Sequence, residues 1–272
     1  MPIDFSNIGV VILAAGQGKR MKSHKLKVMH ELHGRPLIDY VVSAVEKSGL
    51  AVKPVVVVNE RDDSVQQYLG ERAIYVTQTE QLGTGHALAQ AQSLLKGKVK
   101  QVVVLYGDMP FVESESISKI AKNNIDNKSK ITLMTVAVDE FSGWKGVFAD
   151  YGRIIRSDVD NHIVGIVEKK DANTQQLEIK EINTGFFCFD EFWLWPHLQA
   201  LQNNNNQAEY YLTDLVAMAM NEGVPVSSIA IDPREAVGVN SVEQLEKAEK
   251  LKNPRQNCFQ NFQTTMELIS TN

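Results

Sequence analysis

Cysteine is scarce in this chain. Two occur in 272 residues, Cys188 and Cys258, and neither stands at a metal-ligand spacing. A disulfide framework is thereby excluded, and a reducing compartment, the cytoplasm, is the expected location. Long apolar runs are missing too. Stretches such as Val55 to Val58 are strand-sized, far short of the roughly 18 residues of a spanning helix. The opening Met1-Pro2-Ile3-Asp4-Phe5 lacks the basic region of a secretory signal, so no membrane partner is expected. Positive charge is in deficit, 28 Lys and Arg against 33 Asp and Glu, a net charge of −5. That argues against a general affinity for nucleic-acid backbones and leaves room for one local basic site. Internal repeats and an obvious linker are also lacking. The remainder is ordinary: 43% hydrophobic and 22% charged residues, enough to bury a core without disulfide or metal staples.

The first half alternates β-branched runs with helical patterns. Ile8 to Ala14 reads as a buried strand, followed by a glycine-rich loop. Pro36 opens a helix through Ser48, with Leu37, Tyr40, Val41 and Val45 on one stripe. Pro54 to Asn59 and Ala73 to Thr77 read as strands around a short helix, Asp62 to Leu69. Gly83 to Leu95 reads as one helix, and Gln101 to Tyr106 as a strand ending at Gly107-Asp108. Continuous apolar strands spaced by helices imply βαβ units and a mostly parallel sheet covered on both faces. After about residue 130 the pattern becomes mixed. Strands are expected at Ile131 to Val138, Arg153 to Ile155, Ile163 to Val167, Asn183 to Phe189 and Val226 to Ile231, with a turn at Asp158 to Asn161. Helices are expected at Glu191 to Leu201, Glu209 to Asn221 and Val242 to Leu251, with Pro254 as a stop and a weakly periodic tail from Arg255 to Asn272. Trp193 and Trp195, with Phe192, read as core residues. The fold class is α/β, a single domain with a mixed β insertion.

Ala14-Ala15-Gly16-Gln17-Gly18-Lys19-Arg20-Met21 sits where a strand ends. Glycines there let backbone N–H groups approach phosphates. Met21 occupies the place of the last glycine of the dinucleotide fingerprint and of the second glycine of the Walker loop, so neither pattern is met. Lys19, Arg20, Lys22, Lys25 and Lys27 nevertheless crowd into nine residues of an acidic protein. That crowding beside a glycine turn points to a polyanion site. His30 and His33 have no acidic or thiol neighbour except Glu31 and read as loop residues rather than metal ligands.

Leu13-Ala14-Ala15-Gly16-x-Gly18-x-Arg20-Met21, with Lys27 six residues on, resembles the signature of the sugar-phosphate nucleotidyltransferases. Further matches follow in order: Gln78-x-Glu80-Gln81-Leu82-Gly83-Thr84-Gly85-His86-Ala87, Leu105-Tyr106-Gly107-Asp108, Tyr151-Gly152-Arg153-Ile154, Gly165-Ile166-Val167-Glu168, Glu181-Ile182-Asn183-Thr184-Gly185, Glu209-Tyr210-Tyr211-Leu212-Thr213-Asp214 and Gly238-Val239-Asn240. The ordered set is similar to the uridyltransferase domain of the bacterial N-acetylglucosamine-1-phosphate uridyltransferase family.

The resemblance implies a Rossmann-like nucleotidyltransferase fold over residues 1–240, with a C-terminal helix and tail over 241–272. It implies a cytoplasmic transferase that makes UDP-N-acetylglucosamine, a cell-wall precursor, from UTP and N-acetylglucosamine-1-phosphate with Mg²⁺. Arg20 and Lys27 are then the cations on the triphosphate and the transition state, and Asp108 and Asn240 the metal ligands. Leu13, Ala14, Ala15, Gly16, Gln78, Gly83, Thr84, Tyr106 and Gly107 would bind the nucleotide, and Gly152, Glu168 and Asn183 the sugar. The family usually has proline where this chain has Leu26, which is expected to leave the approach of Lys27 less rigid. Gln78 could present either face of its amide, so CTP stays open beside UTP. Other substrates on the same fold, and a non-catalytic sugar-nucleotide sensor, are the alternatives. A sensor is expected to have lost Arg20, Lys27, Asp108 or Asn240, and all four are present. Bifunctional members carry a hexapeptide-repeat acetyltransferase; the 32 residues after Asn240 have no six-residue period, so that activity is not expected.

Overall fold

The computed structural model describes residues 5–251 apart from 22, 51, 52 and 206. The expectations for Met1 to Asp4, Lys22, Cys258 and the tail from Arg255 lie outside the described residues. At the centre is β1 (Ile8–Leu13), buried along its whole length. Among the described residues, two small strands, β2 (Glu31–Leu32) and β3 (Arg35–Pro36), form a separate hairpin. β4 (Val55–Asn59) and β6 (Gln101–Tyr106) flank β1 in parallel, and β5 (Ile74–Gln78) lies outside β4. Beyond β6 the sheet continues through β10 (Glu181–Asp190), β7 (Ile131–Ala137) and β11 (Val226–Ala230). β10 runs antiparallel to both its neighbours, whereas β11 is parallel to β7. The hairpin of β8 (Arg153–Arg156) and β9 (Ile163–Val167) hangs from β10 and supplies the mixed insertion.

The two-residue alternation of a strand sorts these side chains between two apolar layers. Val10, Ile12, Val103 and Leu105 pack on one face against α1 (Leu37–Lys47) and α5 (Ser114–Asp126). Val11, Leu13, Val102 and Val104 pack on the other against α3 (Thr84–Ala89), α7 (Glu191–Ala200) and α8 (Asp214–Asn221). The short helices α2 (Ser64–Leu69), α4 (Gln92–Leu95) and α6 (Thr174–Leu177) complete the connections. α9 (Val242–Lys250) returns to the body, where Ala248 joins Met21, Leu32, Leu37 and Val239 in a small cluster. No helix among the described residues is long and apolar enough to cross a membrane.

Several local expectations are corrected. The stretch from Gly83 to Leu95 is two helices broken at Gln90-Ala91. Glu209 to Thr213 is not helical, because its backbone is taken by another partner: the Tyr210 N–H donates to Leu82 O (2.8 Å), and the Gly85 N–H to Tyr210 O (2.8 Å). Phe192 is 87% exposed, unlike the buried Trp193 and Trp195, since it falls on the outer face of α7. α5 forms where the sequence reading has no element, with Ile117, Ile120 and Ala121 at helical spacing and buried.

One polar knot fixes α1 to the chain that follows it. Asp39, 5% exposed, accepts from Arg35 Nε (2.8 Å), Arg72 Nη1 (2.6 Å) and the Tyr68 hydroxyl (3.2 Å). Burial pushes the Asp39 carboxyl upward, but the hydrogen bonds from Arg72 and Arg35 outweigh it and hold the group below the usual carboxylate range. A depressed carboxylate contributes stability above its unfolded value, and that contribution is lost as pH falls through the folded one. Asp39→Asn is therefore expected to lower stability by about 1–2 kcal/mol at pH 7, the ion pairs being discounted because both arginines are partly exposed. The gap from wild type should close as the pH approaches 3, as read by thermal denaturation of both proteins across that range.

Candidate functional site

The loop after β1 is held from both sides. Ala14 N–H donates to Val57 O (2.9 Å) and Gly107 N–H to Leu13 O (3.0 Å), while Asn59 Nδ2 donates to Ala15 O (3.0 Å). Gly18 has φ +67°, and a Cβ there would lie 2.6 Å from the Cβ of Lys27. Glycine at this position thus lets the loop close on the lysine stem. Met21, the residue that breaks both phosphate-loop patterns, is 1% exposed and plugs the loop into the small cluster with Leu32 and Val239. Leu26 adopts φ −54° and ψ 143° and is buried. That is the backbone a proline imposes, so leucine brings the chain to Lys27 along the same path.

Lys27 is the junction of the site. Its Nζ lies 2.7 Å from Asp108 Oδ2 and 2.9 Å from Asn240 Oδ1. Asp108 is 5% exposed at the carboxyl end of β6. Asn240 is brought to it by the backbone, since Val239 N–H donates to Asp108 O (2.9 Å), and Asn240 N–H donates to Gln244 Oε1 (2.7 Å) at the start of α9. Two adjoining cavities meet here. The larger, about 810 Å³, is lined by Arg20, Lys27, Thr84, Tyr106, Asp108, Gly152, Glu168, Asn183 and Asn240. The smaller, about 210 Å³, is lined by Leu13, Ala14, Ala15, Gly16, Gln78, Gly83 and Thr84, and shares Lys27, Tyr106 and Asp108. Gly107 lines neither. It is glycine for packing, because a Cβ would meet Ile38 at 2.8 Å and Val28 at 3.1 Å.

In the smaller cavity, Gln78 Nε2 donates to Gly83 O (3.3 Å) and lies 3.1 Å from His86 Nδ1. Only the amide nitrogen can hydrogen-bond a carbonyl oxygen, so in this arrangement Nε2 faces Gly83. The amide oxygen is the atom left to a ligand. Thr84 accepts from Leu212 N–H through Oγ1 (3.1 Å), which fastens the helix start to the 209–212 segment rather than capping it. In the larger cavity, Asn183 Oδ1 accepts from Gly185 N–H (3.1 Å), leaving Nδ2 as a donor. Glu168 does not pair with the lysines that follow it. Lys169 pairs with Asp150, and Lys170 Nζ meets Gln207 Oε1 (2.6 Å). Glu168 is instead half-buried beneath Gly152, where a Cβ would sit 3.3 Å from both carboxylate oxygens. Burial pushes its carboxyl above the usual range, with Thr213 hydrogen-bonding against that shift and the charges of Asp214 and Asp171 adding to it. Tyr106 is likewise pushed up, by burial and then by Asp108 and Glu168, so its hydroxyl is neutral. Arg20 is exposed on the Lys19–Met21 turn. Tyr151, Tyr211 and Thr213 line the cavity without having been assigned a role, although their motifs were legible.

A cationic glycine loop, a strand-end aspartate and a split cavity form the expected layout of a nucleotide site, and the comparisons decide the family. The model of the MobA-like NTP transferase domain matches residues 10–163. The chain belongs to the MobA-like NTP transferase domain family. It is thus a nucleotidyltransferase by family. It is 43% identical over 242 residues, 89% of this chain, to the bifunctional protein GlmU of Acetivibrio thermocellus, covering 50% of that protein. To the bifunctional protein GlmU of Heliobacterium modesticaldum it is 41% identical, over 88% of this chain and 50% of the relative. The chain spans about half the length of the curated relatives it matches. A Bacillus anthracis protein assigned as a glucose-1-phosphate thymidylyltransferase, solved with sucrose, shares the fold at a TM-score of 0.71 and 16% identity, covering 89% of this chain and 94% of that one.

The family's Gly83 offers a direct check of this construction. Its φ is +104°, and a Cβ would lie 2.7 Å from Tyr210 O and 2.8 Å from Tyr210 N. Gly83→Ala must displace the 209–212 segment and strain the backbone, at a cost of about 1–3 kcal/mol. A lowered melting temperature is expected together with weaker nucleotide binding by calorimetry. Wild-type values for both would contradict the arrangement.

Proposed function

We propose that the chain transfers a uridylyl group from UTP to N-acetylglucosamine-1-phosphate, giving UDP-N-acetylglucosamine and pyrophosphate, with Mg²⁺ as cofactor. The observation that carries this reading is the convergence of Lys27, Asp108 and Asn240 where the two cavities meet. Similarity to the bifunctional GlmU proteins over about nine-tenths of the chain supports the choice of substrates. The reaction needs no protein nucleophile: a phosphate oxygen of the sugar phosphate attacks the α-phosphorus, and the bond to the β-phosphate oxygen breaks. Catalysis then rests on positioning and on neutralising charge.

The residues fit a divalent ion. Asp108 and Asn240 supply hard oxygens, and both are already drawn onto one positive charge, the Lys27 ammonium. When bound, Mg²⁺ would supply charge neutralisation between triphosphate and sugar phosphate. Lys27 would exchange its carboxylate partner for phosphate oxygens, and Arg20 would bring its planar fork from the rim. In this orientation the Gln78 oxygen would accept from the N3–H of uracil, whereas N3 of cytosine carries no hydrogen to donate. Asn183 and Glu168 would take the acetamido carbonyl and a sugar hydroxyl.

The test is pyrophosphate release with UTP, Mg²⁺ and N-acetylglucosamine-1-phosphate, beside CTP and other sugar phosphates. Preference for another pair would move the assignment within the family. In the same assay Arg20→Ala should lower turnover by about 10²–10³ in a folded protein, and Asp108→Asn should demand far more Mg²⁺; activity surviving EDTA would remove the metal from the reading. The Lys27 ion pair yields a separate expectation. Lys27→Met frees Asp108 and Asn240, so Mn²⁺ binding without nucleotide should tighten by about tenfold, the factor of one lost competing contact. Arg20→Met, which removes a charge elsewhere on the cavity wall, should change it by less than about twofold. Electron paramagnetic resonance of free Mn²⁺ reads both; equal effects of the two variants would mean that only net charge matters.

A further inference from the structure

Tyr151 lies beside the proposed sugar-side Gly152, yet its hydroxyl is spent on the opposite wall. It donates to Ala236 O (2.8 Å) and accepts from Gly238 N–H (3.2 Å). Those two groups belong to the short segment that ends in Asn240. The next residue, Val239, is the one bonded to the Asp108 backbone. A Cβ on Gly238 would lie 3.0 Å from the Tyr151 oxygen and 3.3 Å from Asn240 Nδ2, so the hydroxyl and the amide are near neighbours across that glycine. The tyrosine is itself fixed. Its ring meets Phe148 edge-on, with centroids 5.5 Å apart. The buried Arg153 guanidinium donates to the carbonyls of Tyr151, Phe148 and Ala149. Burial pushes the phenol well above its ordinary value, so it holds the proton that Ala236 requires.

We infer that Tyr151 is a positioning residue: its hydroxyl fixes the 236–240 segment and thereby sets the Asn240 oxygen beside Asp108, joining the sugar wall of the cavity to the cation wall. The inference rests on the reading of Asp108 and Asn240 as metal ligands. Without the hydroxyl, Ala236 O and Gly238 N–H lose their shared partner, and Asn240 keeps only its ties through Val239, through Gln244 and to Lys27 Nζ. A group that orients a metal ligand in this way typically changes affinity by about 10–100-fold when removed. A role in packing alone would leave Phe as good as Tyr, since the ring is retained.

The test is a double-mutant cycle on the full chain, with Mn²⁺ alone as probe, read by electron paramagnetic resonance. Tyr151→Phe should weaken Mn²⁺ binding by about tenfold, and Asn240→Ala by at least as much. The double variant should bind within about twofold of Asn240→Ala, because both changes act through one oxygen. Gly238→Ala keeps the hydroxyl but crowds it, and should reproduce the Tyr151→Phe loss; circular dichroism confirms that each variant is folded. Wild-type affinity in Tyr151→Phe, or additive losses in the double variant, would overturn this inference and leave the metal reading standing. Wild-type affinity in Asn240→Ala would overturn the metal reading and this inference with it.

Discussion

The position of β1 between β4 and β6 sets everything at the site. Both pairings are parallel, and the registers Leu13 with Val57 and Leu13 with Tyr106 bring three strand ends to one edge. β5 adds Gln78 there, opposite Asn59. An open parallel sheet leaves its crevice outside the carboxyl ends of its strands, where the connecting loops part. β10 adds a second device. It is antiparallel to β6, so its amino-terminal part, not its carboxyl end, reaches the same edge. Asn183 and Gly185 therefore arrive beside Tyr106, and Gly185, with φ +85°, is the residue whose Cβ would strike that ring at 2.8 Å. One reversed strand places the wall of the larger cavity against the crevice of the smaller one.

Charge at that edge is organised by pairing rather than by sum. The chain is acidic overall, yet Arg20 and Lys27 of its basic loop end in different states. The Lys27 side chain is 18% exposed against an Asp108 side chain that is 8% exposed. At such burial an unpaired carboxylate is costly, so the ammonium is an integral partner in the free protein. On the proposed reading, a divalent ion bound at Asp108 would take the place of the ammonium, and the lysine would find its compensation in an arriving anion.

The strands were legible because their information is local. β1, β4 and β6 are β-branched runs whose alternate residues enter opposite layers, and no distant contact is needed to read them. The motifs likewise mark much of the cavity lining, while Val147, Asp150, Gln207 and Gln244 line it from outside every motif, and Gly107 lines neither cavity. What escaped the sequence depends on contacts between distant segments. Glu209 to Thr213 has a helical composition, but Leu82 and Gly85 capture its backbone from over a hundred residues away. Phe192 looks like its tryptophan neighbours until the face of α7 is known. The apolar stripe of α5 is present in the sequence but diluted by Ser, Asn and Lys. Tyr151 could be seen as part of a motif, but its use of Ala236 and Gly238 is purely tertiary.

Arg20 and Lys27 show how one short loop divides labour between order and mobility. Gly18 and Met21 clamp the loop, the first by admitting the Lys27 stem and the second by entering the core. Lys27 is consequently held in place before any ligand comes, and its rotamer entropy is already lost. Arg20 stands one residue before the Met21 anchor, exposed, with no hydrogen bond or ion pair to another described residue. On the proposed reading its side chain would be ordered by the ligand, at roughly 0.5–1.5 kcal/mol of binding free energy. The return is specificity for a group that can satisfy a planar fork, because a point-like anion would not repay that ordering as well. The fixed lysine supplies charge beside the buried Asp108, and on the proposed reading the exposed arginine would supply discrimination where the ligand enters.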